Sequence, residues 1–474
     1  MNIIKRLKKL FEPSDMTVGA PWKSIAMFSI PMVIGNIAQQ LYSTVDTIVV
    51  GKYVGDDAIT AVGSATPIIN LLLVLFIGIS AGVGIMVAQY FGARSREDLS
   101  KTIGSCITLT AIASLFMMVV VPPFMMSLLK LLNTPSDVIK DCNMYLVISL
   151  YGIAGMAYYN ILSGILRGMG DSFSALLYLL IATVINIVLD IWFVAGFGMG
   201  VSGVALATVI AQGISAMFCL LKLMRMKQVF DLGKNELKLS KFHVKRIVGL
   251  GLPSGATQAI MSSAMIIVQA LTNSFGKQFI AANNIVMRVD GFAMMPNFSF
   301  GTAMTTYTGQ NVGARKLDRV STGAKQGTLM AVCCSATITG AILIFGEYIM
   351  RMFTKTESLV EQSVYMMSIL AVGYIAMAVT QSLSGVMRGA GDTLTPMWIS
   401  LITTVVIRVP LAYGISWLTT TSALPNGRSE CIQISLLSSW VLGALLTVLF
   451  YKIGGWKKRI GYSADKDNDT SIAL

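Results

Sequence analysis

Histidine is almost absent from this chain: His243 is the only one in 474 residues. A zinc-protease pair and a histidine triad are thereby excluded, and no His-Glu-x-x-His occurs. The six cysteines (Cys106, Cys142, Cys219, Cys333, Cys334, Cys431) show no metal-ligand spacing, so they read as packing residues, with no metal or disulfide framework. Charge is equally scarce. Only 12% of residues are Asp, Glu, Lys or Arg, against roughly 25% in a soluble domain, so lipid must be the solvent for most of the chain. Asp56-Asp57 lacks the third acid of a prenyl-pyrophosphate motif. No reactive constellation points to an enzyme, and no cofactor is expected.

What the chain does have is apolar length, with 54% hydrophobic residues. A membrane-spanning helix needs about 20 mainly apolar residues. Runs of that kind fall near residues 25–50, 61–91, 102–128, 142–165, 173–197, 201–224, 247–273, 279–309, 325–350, 362–387, 394–418 and 433–452. Residues 103–121 and 434–450 lack the strict alternation of barrel strands. The expectation is an all-α membrane protein of 12 transmembrane helices in two six-helix lobes.

The basic residues follow helix parity. Of 36 lysines and arginines, 27 lie in the leader, the tail and the loops after even-numbered spans, and only 7 after odd-numbered ones. This asymmetry places both termini and the central linker in the cytoplasm; a nucleic-acid patch would ignore parity, so no nucleic-acid partner is expected. The leader Lys5, Arg6, Lys8, Lys9 precedes a span too long for a signal-peptide core, with no small-residue cleavage site, which reads as an uncleaved anchor. The expected organisation is a leader at 1–24, an N-lobe at 25–224, a linker at 225–246, a C-lobe at 247–452 and a tail at 453–474. His243, beside Lys245 and Arg246 in that linker, is expected to be a solvated loop residue.

Set against itself, the sequence repeats at a shift of 221 residues. Gln89 and Gly92-Ala93-Arg94 return as Gln310 and Gly313-Ala314-Arg315. Ser163-Gly164, Arg167-Gly168 and Gly170-Asp171 return as Ser384-Gly385, Arg388-Gly389 and Gly391-Asp392. An even number of spans per half makes the halves parallel repeats about an axis along the membrane normal, a transporter architecture. The Arg-Gly-x-Gly-Asp turns read as tight turns with a helix-capping Asp.

Ionisable groups inside a span are costly and mark function by default. Asp46, Asp190, Asp290, Arg288 and Arg408 are such groups here. By rise per residue, Asp46 lies roughly 7 Å, and Asp190 and Thr208 roughly 10 Å, below the outer ends of spans 1, 5 and 6. Asn186 is one turn from Asp190 on the same face. Two carboxylates, an amide and a hydroxyl at one level can hold a proton or a dehydrated sodium ion, since oxygen ligands suit hard cations; no resident metal is expected. Asn36, Gln39, Ser43 and Asp46 fall within an arc of roughly 80° on span 1, a face unfit for lipid. Span 7 carries Gln258, Ser262, Met265, Gln269 and Thr272 on a comparable arc without an acid, so these residues, with Met287, Arg288 and Asp290, are expected to line a substrate cavity. For Arg288, Asp290 and Arg408, a structural ion pair is almost as good an explanation as contact with cargo. Pro31 and Pro253 each remove a backbone hydrogen bond and favour a helix bend.

Together, Tyr42-Ser43-Thr44-Val45-Asp46 to Gly51, the segments 89–94 and 310–315, and the two Ser-Gly-x-x-x-Arg-Gly-x-Gly-Asp turns resemble the MATE (multidrug and toxic compound extrusion) family over nearly the whole chain. The resemblance implies a V-shaped pair of lobes about a central cavity and export of cationic or amphipathic compounds in exchange for H+ or Na+. It also implies a multi-pass protein of the cell's inner (plasma) membrane, expected as a monomer. In the branch with DNA-damage-inducible members, a span 1 Asp, a span 5 Asn and Asp, and a span 6 Thr form the cation site; these match Asp46, Asn186, Asp190 and Thr208, and Pro31 matches the span 1 bend. The other branch uses acids on spans 7 and 10; here span 7 has none, and Glu361 sits at the end of span 10. The alternative within the wider superfamily is a flippase for lipid-linked saccharides or peptidoglycan precursor, which calls for several cations in the cavity.

Overall fold

The computed structural model describes residues 12–131, 134–422 and 424–457, leaving outside it the side chains of Tyr42, Ser43, Asp46, Thr47, Asp56, Asp57 and Ile59. Every regular element among the described residues is helical. The first half contains α1 (Pro21–Tyr53), α2 (Asp56–Ala93), α3 (Arg96–Val120), α4 (Met125–Leu131), α5 (Ile139–Tyr151), α6 (Ile153–Gly168), α7 (Ser172–Asp190) and α8 (Gly200–Arg225). The second contains α9 (Lys241–Ser274), α10 (Lys277–Gly313), α11 (Leu317–Arg351), α12 (Glu357–Ala371), α13 (Gly373–Gly389), α14 (Leu394–Leu401), α15 (Arg408–Leu418) and α16 (Cys431–Ile453).

Among the described residues nine segments are long and apolar enough to cross a membrane unaided, and the bent pairs α5–α6 and α12–α13 add two more. The long α10, which carries Arg288 and Asp290, completes the twelve expected rods. The described chain forms two compact units. One holds the residues up to Asp15 together with Ile30–Gly255; the other holds Met16–Ser29 and the described part of Ala256–Leu474.

Two motif glycines in each half mark a close helix crossing. In the first unit α6 meets α2 there: a Cβ at Gly164 would lie 2.3 Å from Ser80 Oγ, and one at Gly168 would lie 2.7 Å from the carbonyl of Gly84. In the second unit α13 meets α10 at the positions 221 residues on, where Gly385 faces the Gly301 carbonyl and Gly389 the Thr305 carbonyl, each at 2.4 Å from such a Cβ. Lipid gives helices no hydrophobic reason to associate, so small residues that admit backbone-to-backbone contact supply the packing energy.

The ends of these helices repeat as well. Arg94 and Arg315 close α2 and α10 with φ of 57° and 58°, a left-handed conformation that non-glycine residues seldom adopt. Asp171 accepts hydrogen bonds from Ser174 N (2.9 Å) and Oγ (2.7 Å), and Asp392 accepts them from Thr395 N (3.2 Å) and Oγ1 (2.6 Å). Each aspartate thus satisfies a free N–H at the start of the next helix, after a glycine at φ 83° or 96°.

α1 and α9 run unbroken through Pro31 and Pro253. Sharp breaks of 52° and 42° lie between α5 and α6 and between α12 and α13. Gly152 lies at the first and Gly373 at the second, again 221 apart. Each is pressed by a neighbour, with Val209 Cγ1 2.2 Å and Trp440 Cε3 2.4 Å from where a Cβ would stand. Two π-helical turns, Ile191–Gly196 after α7 and Ile402–Ile407 before α15, interrupt the corresponding span of each half.

A methyl group at the crossing should therefore be felt. Gly168→Ala and Gly389→Ala are expected to lower the thermal unfolding midpoint of the detergent-solubilised protein, at a cost of about 1–3 kcal/mol each. Gly340→Ala, whose Cβ meets nothing within 4 Å, should melt with the parent or slightly above it. Equal midpoints for all three would mean the crossings are looser than described.

Candidate functional site

In the first unit α7 and α8 bring three of the sequence-selected residues into one buried place. Asn186 and Asp190 are fully buried, and Thr208 is 8% exposed. Asn186 Nδ2 donates to Thr208 Oγ1 at 3.4 Å, leaving Asn186 Oδ1 buried with no hydrogen-bond donor among the described residues. A buried carbonyl oxygen beside a buried carboxylate is an acceptor pair, and acceptor oxygens are what a hard cation or a proton needs.

Asp190 stands where α7 ends and the π turn Ile191–Gly196 begins. Such turns shift the helix register by one residue and recur at functional sites. Beyond it the rings of Trp192 and Phe197 lie 5.4 Å apart, and those of Phe193 and Phe197 6.4 Å apart.

α1 supplies the fourth expected ligand. It comes alongside α7 at Gly35, where a Cβ would stand 3.5 Å from Leu176 Cδ1. Asn36 is half-buried and Gln39 exposed. The side chains of Asp46 and Ser43 lie outside the described residues, so the structure joins Asn186, Asp190 and Thr208 but leaves the α1 acid unplaced.

In the second unit Met265, Gln269 and Thr272 of α9 face Asn283 and Met287 of α10, Arg408 at the start of α15, and Gln433 of α16. They enclose a void of about 20 Å³, room for a water molecule or two. Gln433 Nε2 donates to Asn283 Oδ1 at 3.4 Å, while Gln433 Oε1 and Arg408 Nε have no hydrogen-bond partner among the described residues. Gln258 and Ser262 are exposed and outside this lining, as is Arg288. Asp290 is half-buried, and its charge and that of Arg408 act on each other; the Tyr374 hydroxyl donates to Met367 Sδ (3.3 Å).

Asn283, Tyr374 and Gln433 had not been singled out from the sequence. Two of them are amides within apolar runs, a signal open to sequence reading. Buried Asn297 was missed too; it donates to the Tyr374 carbonyl (3.2 Å) and accepts from Ser335 Oγ (2.7 Å).

His243 corrects an expectation. It is 4% exposed rather than solvated, because it lies in the first turn of α9, packed against α2 and α3. Its Nδ1 is 2.7 Å from Ser240 Oγ, its Nε2 3.6 Å from Asp98, and its ring 6.1 Å from that of Tyr90. The cysteines are all free; four are buried, Cys334 is half-buried and Cys333 exposed.

Comparison with known proteins agrees with this architecture. The chain is 27% identical to the probable multidrug resistance protein YoeA of Bacillus subtilis, over 92% of this chain and 95% of that one. It is 28% identical to the probable multidrug resistance protein YpnP of the same organism, over 94% and 97%. Its fold superposes with a TM-score of 0.86 on the outward-facing conformation of a multidrug resistance MATE family transporter of the MOP superfamily, at 24% identity over 95% of this chain and 98% of that one. The MatE family model matches twice, at residues 31–192 and 253–414, each match beginning at a proline and covering one half of the repeat. The chain is therefore a member of the MatE family of membrane transporters.

Proposed function

We propose that this chain is a secondary active multidrug exporter that expels cationic or amphipathic compounds in exchange for H+ or Na+ by alternating access. The observation that carries the reading is the buried Asn186, Asp190 and Thr208 cluster of the first unit. An acid withdrawn from water within a membrane span persists only where it is paired or bears a cation. Asp46 of α1, about three turns beyond the half-buried face at Gly35 and Asn36, completes the ligand set in this reading.

Cation entry from outside and compound release are competing events. Binding energy spent on the cation in one conformation is what biases the equilibrium between two states, and a ligand with equal affinity for both would shift nothing. Asn36 and Gln39 on α1 are compound-facing residues of the first half in this reading, and Gln258, Ser262, Met265, Gln269, Met287, Arg288 and Asp290 are those of the second half. The second unit offers no equivalent of Asp190: the position 221 residues on is Leu411. The repeats thus share a scaffold and divide the labour. Both termini and the linker lie on the cytoplasmic side, following the lysine and arginine distribution, and the likeness to probable multidrug resistance proteins supports the direction of transport.

In a drug-sensitive host Asp46→Asn and Asp190→Asn should each abolish ethidium resistance at normal expression, a loss of tenfold or more in export rate. Thr208→Ala, which removes one neutral ligand, should cost only a few-fold. Resistance unchanged in both asparagine variants refutes the assignment of the coupling site.

A further inference from the structure

The repeated segments 89–94 and 310–315 have no part in the cation cluster, yet they and the helix that follows them hold something specific. In the second unit Gln310 Oε1 accepts from the backbone N–H of Met16 (2.8 Å), and Asn311 Nδ2 donates to the Met16 carbonyl (3.3 Å). Lys316 Nζ donates to the Thr17 carbonyl (2.9 Å) and Arg319 to the carbonyls of Gly19 (2.9 Å) and Met16 (3.2 Å). Further along α11, Gln326 Oε1 accepts from the N–H of Trp22 (3.1 Å), a helix-start N–H that α1 itself cannot satisfy.

The first unit does the same to the linker. Gln89 Oε1 accepts from Arg246 Nη2 (3.0 Å). Arg96 grips Asp231 through two bonds and donates to the carbonyl of Lys227 (2.6 Å), and the pairing holds the Asp231 carboxyl below its ordinary range. Thr108 Oγ1 donates to the Leu237 carbonyl (2.6 Å), and Ser105 Oγ accepts from the N–H of Ser240 (3.1 Å), immediately ahead of α9. Gly104 leaves the room for this, since a Cβ there would lie 2.0 Å from the Glu236 carbonyl. Gln89 and Gln310 are 221 apart, and so are Ser105 and Gln326. The same two positions of the repeat therefore receive hydrogen bonds from the incoming chain in both halves.

We propose that these two positions, with Arg96 and Arg319, are positioning residues forming a pair of crossed clasps. Each unit holds the segment that leads into the first span of the other half: residues 16–22, which enter α1, are held by the second unit, and residues 227–246, which enter α9, by the first. Both clasped segments open helices that carry compound-facing residues, so the clasps set where those helices begin during transport. The clasp itself is independent of the export reading; only the transport arm of its test rests on that reading.

The test is amide hydrogen exchange on the full chain in lipid nanodiscs, read with ethidium export. Gln310→Ala with Gln326→Ala should speed exchange of the 16–22 amides at least about fivefold, and Ser105→Ala should do so at Ser240, with exchange in α16 unchanged. Gln310→Glu, which keeps an acceptor oxygen, should hold the parent rate. Where the double variant does not fold, Gln326→Ala alone, read at Trp22, makes the same decision. Export by the double variant should lose threefold or more in maximal rate with KM within twofold, and Gln310→Glu should restore it. Unchanged exchange overturns the clasps; faster exchange with undiminished export overturns their positioning role. Should the parent protein export nothing, the export reading fails and the exchange data alone decide the clasps.

Discussion

In each half of the molecule two helices touch backbone to backbone, α6 on α2 at Gly168, α13 on α10 at Gly385 and Gly389. Much else in the architecture is arranged around these contacts. Between lipid-immersed helices the hydrophobic effect is nearly silent, because a lipid tail is as good a neighbour as a leucine. Stability has to come from dense packing and satisfied polar groups, and the glycine crossing supplies the first. It fixes the long helices at their closest approach, so that the motif's aspartates, one turn further on, arrive where they cap α7 and α14. The same constraint explains why the motif survives in both halves while the residues lining the two polar sites do not match: the crossing is scaffold, and the sites are free to diverge.

Divergence is visible in the charges. The first unit buries an acid with an amide and a hydroxyl, and the second places a guanidinium over a small void ringed by amides. Both charged residues, Asp190 and Arg408, stand at the junction of an α-helix with a π turn. A π turn leaves the hydrogen-bond ladder locally out of step and turns a side chain off the regular stripe, which is one way to aim a single charge inward on an otherwise apolar helix. The two halves thus bury opposite charges, the asymmetry that the proposed exchange calls for if coupling ion and cargo are to be read by different surfaces.

Much of this was legible in the sequence because lipid imposes strong rules. Span number, the repeat and the grouping of Asn186, Asp190 and Thr208 followed from apolar length, the 221-residue shift and helical periodicity, all of which are local or self-referential signals. The bends were less legible. The breaks at Gly152 and Gly373 were not read from the sequence; each glycine leaves room for a neighbour, Val209 or Trp440, a tertiary fit invisible along the chain. His243 was misread for the same reason: a linker rich in lysine looks solvated, but Arg96, Ser105 and Thr108 tie it down and fold the imidazole beneath it. Asn283 and Gln433 were within reach, being amides inside apolar runs, and were passed over because attention went to formal charge.

The central claim is that a cation gradient alone, acting through the first unit, drives export. Everted vesicles without ATP, loaded with a fluorescent cationic dye outside and given an imposed proton or sodium gradient, test it most directly. The account predicts dye uptake with one of the two gradients and its collapse on the matching ionophore. Uptake indifferent to both gradients, in vesicles where the protein is present and folded, would contradict it.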